Sequence, residues 1–348
     1  MHLPKLPREV PLKPVDPVTF AQAVERTVSK DSARLYSCIS ISPNFGGSVK
    51  AYAVGCNLRC GFCWSPCRSP REIASLQANR RKAAETVRKV LTPVREQYGN
   101  TVDEVLDIET SIKEIGTESL EPTEVISRMI SARDNNTFSG IGSFELFTEG
   151  IPPKRICYFT LSGGEPTLCR EHLLGILSEF ERRCDGTNFL LQTNGFLLGS
   201  DPSYLLELEK YASFLEIRLC FKAGTPEGLE ARTGAVSKVF NLPFIALEKL
   251  LDLNINFYLA AMTDPHVMPP DERDSLIARL KEICTHYNAT LVSMQSMEST
   301  EQHSPLEKHF VYLDEESYIP YFPHILAESI DASKNVFEKE GLCLPHQI

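Results

Sequence analysis

Cys56-Asn57-Leu58-Arg59-Cys60-Gly61-Phe62-Cys63 is the stretch on which the reading of this chain turns. Three cysteines stand at a C-x3-C-x2-C spacing, directly after Ser48–Val54, an apolar, strand-like run that ends at Gly55. Three thiolates on one tight loop suit an iron–sulfur cluster, because cysteine thiolate is the usual ligand of cluster iron. Three is one short of the four irons of a cubane. One iron is then left open, and an open coordination position is where a metal site does chemistry rather than only holding a fold. A structural zinc site is the competing reading. Zinc sites usually use four ligands, and Cys67 could supply the fourth in C-x3-C-x2-C-x3-C.

A second segment decides between them. Ile156–Leu161 reads as a buried strand, and Ser162-Gly163-Gly164-Glu165-Pro166-Thr167 follows it at once. Any strand-to-helix turn can use a glycine pair, so this segment is informative only together with the cysteine loop. The two motifs together resemble the radical S-adenosylmethionine (radical SAM) superfamily. The resemblance implies that Cys56, Cys60 and Cys63 hold a [4Fe-4S] cluster. It implies that SAM binds the fourth iron through its methionine amino and carboxylate groups, with Gly163, Gly164 and Glu165 along that end of it. It also implies reductive cleavage of SAM to methionine and a 5′-deoxyadenosyl radical, which abstracts hydrogen from a substrate. In such enzymes the cofactor carries the hard chemistry, and the protein orients and shields it. Trp64, the only tryptophan, follows the third cysteine. An aromatic residue there is common in the superfamily, packing on cluster or adenine; a half-buried loop residue would need no such role.

Outward from these motifs the chain alternates strands and helices. Candidate strands are Ser48–Val54, Arg155–Leu161, Asn188–Thr193, Phe214–Phe221, Asn256–Ala261 and Thr290–Gln295, short apolar runs rich in β-branched and aromatic residues. Helical patterns lie between them at Glu121–Arg133, Arg170–Arg183, Ser203–Tyr211, Pro243–Leu253 and Pro270–Tyr287. Such repeats imply parallel strands joined by crossovers. Six are too few for an eight-stranded closed barrel, and they match the open, partial (β/α)6 TIM barrel of the radical SAM core. The expected division is an N-terminal extension at 1–35, the core at 36–300 and a C-terminal helical extension at 301–348. About ninety residues separate Cys63 from Arg155, more than a βα connection needs. An insertion at about 68–150 is therefore expected after the cluster loop. It holds a basic helix from Arg71 to about Tyr98 and an acidic segment, Val102–Glu121. A solvated helix face accounts for the basic residues as well as a docking surface does.

Later strand ends resemble the glycyl-radical-enzyme activating branch of that superfamily. Gln192-Thr193-Asn194-Gly195 follows the third strand, Cys220-Phe221-Lys222 the fourth, then Arg232-Thr233-Gly234, and Met262-Thr263-Asp264 the fifth. The resemblance makes Thr193, Asn194 and Lys222 further candidates for the SAM pocket. It departs at two places. Gln192 and Cys220 stand where that branch carries acids that help form a monovalent-cation site beside SAM. The sequence singles out no catalytic side chain beyond these.

Composition sets the surroundings. The 348 residues carry a net charge of −10 and eleven cysteines. No run approaches the roughly 18–20 apolar residues of a spanning helix, and the first residues lack a signal-peptide core. A cytoplasmic chain with reduced thiols is expected. The acidic balance offers no global attraction to nucleic acid. The expected partners are a macromolecular substrate, with protein or peptide ahead of a tRNA base, and a reductant such as flavodoxin or ferredoxin. A non-catalytic zinc-knot scaffold is the reading from another class.

Overall fold

The computed structural model describes residues 14–42, 47–63, 118–135, 157–184, 186–294 and 310–316. They form a mixed α/β fold around one large sheet. The strands are β1 (Ser29–Lys30), β2 (Ala33–Ser42), β3 (Ser48–Ala53), β4 (Glu118–Leu120), β5 (Tyr158–Gly163), β6 (Asn188–Thr193), β7 (Leu215–Phe221), β8 (Asn256–Met262), β9 (Thr290–Ser293) and β10 (Phe310–Glu316). Their order is β1-β2-β3-β5-β6-β7-β8-β10-β9, with β4 paired to β2. From β3 to β9 every pairing is parallel. β2 closes that edge antiparallel to β3.

The helices are α1 (Pro17–Val28), α2 (Pro122–Asn135), α3 (Arg170–Arg183), α4 (Phe196–Ser200), α5 (Pro202–Glu209), α6 (Pro226–Thr233), α7 (Leu242–Asp252) and α8 (Pro270–His286). Their starts are written in the sequence. Asp16 and Asp201 accept backbone N–H bonds at the N-caps of α1 and α5, Thr225 does so for α6, and each has proline in the first turn. No helix among the described residues is long and apolar enough to cross a membrane.

The two faces of the sheet differ in chemistry, and this positions the site. Phe159, Phe189, Leu191, Ile217, Leu219 and Leu259 point to the helices and are fully buried. Phe180 of α3 packs edge-on against Phe159 and Phe189, and Phe244 of α7 packs against Phe221. Because side chains alternate along a strand, the opposite face carries the intervening residues. Register lines up Tyr52 with Ser162, and Gln192 with Arg218 and Tyr258. Ser162 Oγ donates to Gln192 Oε1 at 2.6 Å and joins the two sets. Parallel sheets usually carry apolar runs on both faces; this second face is largely polar, with Leu190 and Ala260 among its residues. Arg218 reaches across β8 to Asp314 and Glu316 of β10.

One expectation needs correction. The segment 301–348 is expected to be a helical extension, yet Phe310–Glu316 is a strand. Val311, Leu313 and Glu315 are buried and alternate with more exposed neighbours, which is a period of two. The pattern is short and ends in three acids, which mimic a helix terminus. That strand also lies between β8 and β9, so Thr290–Ser293 does not pair with β8. Within the expected N-terminal extension at 1–35, α1 packs under Gly55, where an added Cβ would meet Val24 and Val28, and β1 pairs with β2. The helix expected at Glu121–Arg133 is α2, which packs against α3 and β2 as the crossover from β3 to β5. The basic helix, Trp64, Cys67 and residues 317–348 lie outside the described residues.

Candidate functional site

The cysteine loop leaves the C-terminal end of β3, and the Gly-Gly-Glu-Pro segment leaves the C-terminal end of β5 beside it. Backbone bonds zip the two together. Gly164 N donates to Ala53 O, and Glu165 N to Gly55 O, both at 2.7 Å. The glycines make this approach possible. A Cβ on Gly164 would stand 1.9 Å from Gly55 O. Gly163 has φ +101, and its Cβ would stand 2.6 Å from Ala53 O. The pair therefore serves loop-to-loop packing, with backbone, not a ligand, filling the space.

Glu165 is 1% exposed, and its carboxylate is fully engaged. Oε1 accepts from Thr167 N, Thr167 Oγ1 and Thr193 Oγ1, and Oε2 accepts from Asn194 N. This side chain joins the ends of β5 and β6. Whatever the segment offers a ligand comes from its main chain. Asn194 carries the link onward, donating from Nδ2 to Asn57 Oδ1 at 2.8 Å, with Cys56 Sγ at 3.8 Å. Asn57 is 1% exposed, and its Nδ2 has no partner.

Cys60 is buried, and Cys56 and Cys63 are half-buried. None of the nine cysteines described is in a disulfide. Burial pushes the Cys56 thiol well above its ordinary value, and Glu165, Cys60 and Cys63 push it the same way. Among the described residues no group of three or more His, Cys, Asp or Glu could hold a metal ion. Ligands of a cubane each take a different iron and ring the core, so they need not converge on one point. The donor set suits a cluster by its chemistry: three cysteine sulfurs on one loop, one for each of three irons. Cys56 Sγ also accepts from Leu58 N at 3.4 Å, the kind of contact that tunes cluster ligands.

Lys222 is half-buried at the end of β7, on the polar face with Arg218 and Cys220. Burial alone would lower its pKa. Cys220, Glu316 and Cys60 outweigh burial and hold it above the ordinary value. Burial pushes the Cys220 thiol up. The structure therefore gathers Cys56, Cys60, Cys63, Gly163, Gly164, Glu165, Thr193 and Asn194 at the adjoining ends of β3, β5 and β6, with Lys222 in electrostatic reach of Cys60. Asp264 is engaged elsewhere, taking the backbone and ring nitrogens of His266.

Sequence reasoning missed three supports of this site. Arg59 N and Gly61 N, inside the cysteine loop, donate to Thr233 O and Arg232 O at the end of α6. Arg232 is itself bound to Glu272 of α8 in a buried ion pair. Arg34 of β2 donates to three backbone carbonyls of the two loops. An arginine among the apolar residues of β2 was the available signal for the last. The ion pair, with forty residues between its partners, left none.

No protein-family profile matches the chain, and no curated protein matches it. Two solved structures share part of its outline. A structure of TYW1 with a lysine-pyruvate adduct bound aligns at 13% identity and a TM-score of 0.32, covering 69% of this chain and 61% of that one. The crystal structure of Streptococcus suis SuiB aligns at 12% identity and a TM-score of 0.36, covering 82% of this chain and 45% of that one. At such scores the likeness adds nothing to the reading of the site. This chain spans less than two thirds of either neighbour.

Proposed function

We propose that this chain is a radical SAM enzyme acting on a protein or peptide, with an open partial barrel whose polar face surrounds the substrate. One observation carries the reading: the C-x3-C-x2-C loop and the Gly-Gly-Glu-Pro segment lie against each other, backbone to backbone, at neighbouring strand ends. When bound, a [4Fe-4S] cluster and SAM supply reductive SAM cleavage and hydrogen abstraction. The protein residues have separate tasks. Cys56, Cys60 and Cys63 hold the cluster and leave one iron to SAM. Gly163 and Gly164 let the two loops close. Glu165 and Thr193 fix the main chain of the segment that meets the methionine end, and Asn194 ties this frame to the cysteine loop. Lys222 presents a cation toward the SAM carboxylate. The branch resemblance favours a protein substrate. The basic helix lies outside the described residues, and no observation among the described residues favours a tRNA base.

Anaerobic reconstitution tests this. Wild type should take up about four irons and four sulfides per chain and absorb broadly near ~400 nm. With dithionite and SAM it should release 5′-deoxyadenosine. Cys56→Ala, Cys60→Ala and Cys63→Ala should each abolish the cluster, and Cys67→Ala should spare it. Stoichiometric zinc without sulfide would instead support the zinc scaffold. Anaerobic capture with analysis of both protein and RNA addresses the substrate.

A further inference from the structure

Arg34 lies on β2, a strand outside the βα succession, and it is 0% exposed. Its Nη1 donates to Pro166 O at 2.6 Å, and its Nη2 to Glu165 O at 2.8 Å and Val54 O at 3.3 Å. Two of these carbonyls belong to the Gly-Gly-Glu-Pro segment, and the third lies two residues before Cys56. A buried charge is costly unless paired and hydrogen-bonded. Arg34 makes no ion pair among the described residues, so backbone carbonyls carry its compensation. Guanidinium suits the task because its donors form a rigid planar fork, whereas a lysine is a point charge on a flexible stem.

The consequence is specific. The Glu165 carboxylate is consumed by four protein donors, so recognition along this segment rests on main-chain groups. The N–H groups of Glu165 and Thr167 are bonded within the protein and Pro166 has none, so Arg34 acts on the course of the segment, fixing the two carbonyls that follow the Gly163–Gly164 pair. The cysteine loop has its own anchors at Thr233 O and Arg232 O, so cluster binding does not depend on Arg34 in the same way.

We propose that Arg34 is a positioning residue for the methionine end of SAM, holding the Gly163–Gly164 main chain in place by clamping the carbonyls of residues 165 and 166. The proposal rests on the radical SAM reading above. It predicts a split between two cofactors that a merely destabilising change would not give. The full chain, reconstituted anaerobically as wild type, Arg34→Gln and Arg34→Lys, is assayed for iron and sulfide. SAM affinity is read from the SAM-induced change in the electron paramagnetic resonance spectrum of the reduced cluster. Both variants should keep wild-type iron and sulfide. Arg34→Gln should raise the SAM dissociation constant about tenfold or more, the scale of one lost charge-assisted hydrogen bond. Arg34→Lys, which keeps the charge and part of the donor set, should fall between. A SAM affinity within about twofold of wild type in Arg34→Gln overturns the proposal, as does iron lost in parallel with SAM. Failure of both variants to fold makes Arg34 a folding residue and overturns it too. A wild type that takes up no cluster defeats the radical SAM reading, and this proposal with it, before any variant is compared.

Discussion

Arg232 and Glu272 form an ion pair in which each side chain is only 8% exposed. Glu272 Oε1 also accepts from Gly224 N at 2.8 Å and Thr225 N at 3.3 Å. The backbone carbonyls of Arg232 and its neighbour hold the N–H groups of Gly61 and Arg59. A carboxylate on α8 thereby reaches the cysteine loop in two steps. Removing it leaves a buried guanidinium unpaired, a loss of about 3–5 kcal/mol. Glu272→Gln should lower the unfolding free energy of the apoprotein by an amount in that range and slow or reduce cluster uptake. Iron retention equal to wild type in a destabilised Glu272→Gln protein would show that the loop does not depend on this anchor.

Gly164→Ala tests the seam between the two loops. A methyl group there meets Gly55 O at 1.9 Å, and that atom is backbone accepting the Glu165 N–H bond. The strands must separate to admit it, so about 3 kcal/mol or more of stability should be lost, as with severe overpacking. Gly186→Ala is the comparison. Its φ is +71, but nothing lies within 4 Å of its Cβ. Only the backbone strain remains, about 1 kcal/mol. Comparable melting temperatures for the two variants would contradict the packing assignment.

Glu165→Gln asks how much the shared carboxylate contributes. Its oxygens take three donors on one side and Asn194 N on the other. An amide turns one acceptor into a donor facing donors. Charge-assisted bonds contribute about 1.5–3 kcal/mol each, and a buried unsatisfied group costs about 1–3. The apoprotein should therefore lose at least about 2 kcal/mol, measured by denaturant unfolding. A near-neutral effect would mean that the ends of β5 and β6 hold together without this bridge.

Much of this site was legible because its parts are local. The cysteine spacing, the glycine pair and the apolar strands before them each lie within a few residues, and the strand at Asn188–Thr193 and helix at Arg170–Arg183 fall where periodicity put them. What was not legible is non-local. β2 is not among the candidate strands, because nothing near it announces an antiparallel partner. The place of β10 between β8 and β9 is a matter of topology, and a parallel pairing can join segments far apart in the chain. The resemblance put Gly164 along the methionine end of SAM; its close approach to Gly55 O is set by the pairing of β3 with β5. Glu272 and Arg232 act across forty positions and Arg34 reaches Pro166 across 132; an arginine in an apolar run hints at the last, but nothing local names its partners.

His172 provides a pH test that needs no cofactor. It is 4% exposed and packs beside Tyr36. Its Nδ1 lies 2.7 Å from Ser32 O, so that nitrogen carries the proton, and Nε2 accepts from Tyr36 Oη at 2.8 Å. Burial pulls its pKa down from 6.5 to about 4; the Ser32 carbonyl opposes this, and the Arg34 charge reinforces it. The folded state therefore refuses a proton that the unfolded chain accepts. The contribution is present above the unfolded pKa of 6.5 and is lost as pH falls through 6.5 toward 4. Between pH 7 and pH 5 the loss from this group should be about 2 kcal/mol. His172→Gln removes the titration while keeping a polar side chain. Denaturant unfolding of both apoproteins at pH 7 and pH 5 should show wild type losing about 2 kcal/mol more than the variant over that interval. Parallel losses would mean that His172 takes up its proton in the fold as readily as in the open chain, and that the Ser32–His172–Tyr36 contacts do not hold the ring neutral.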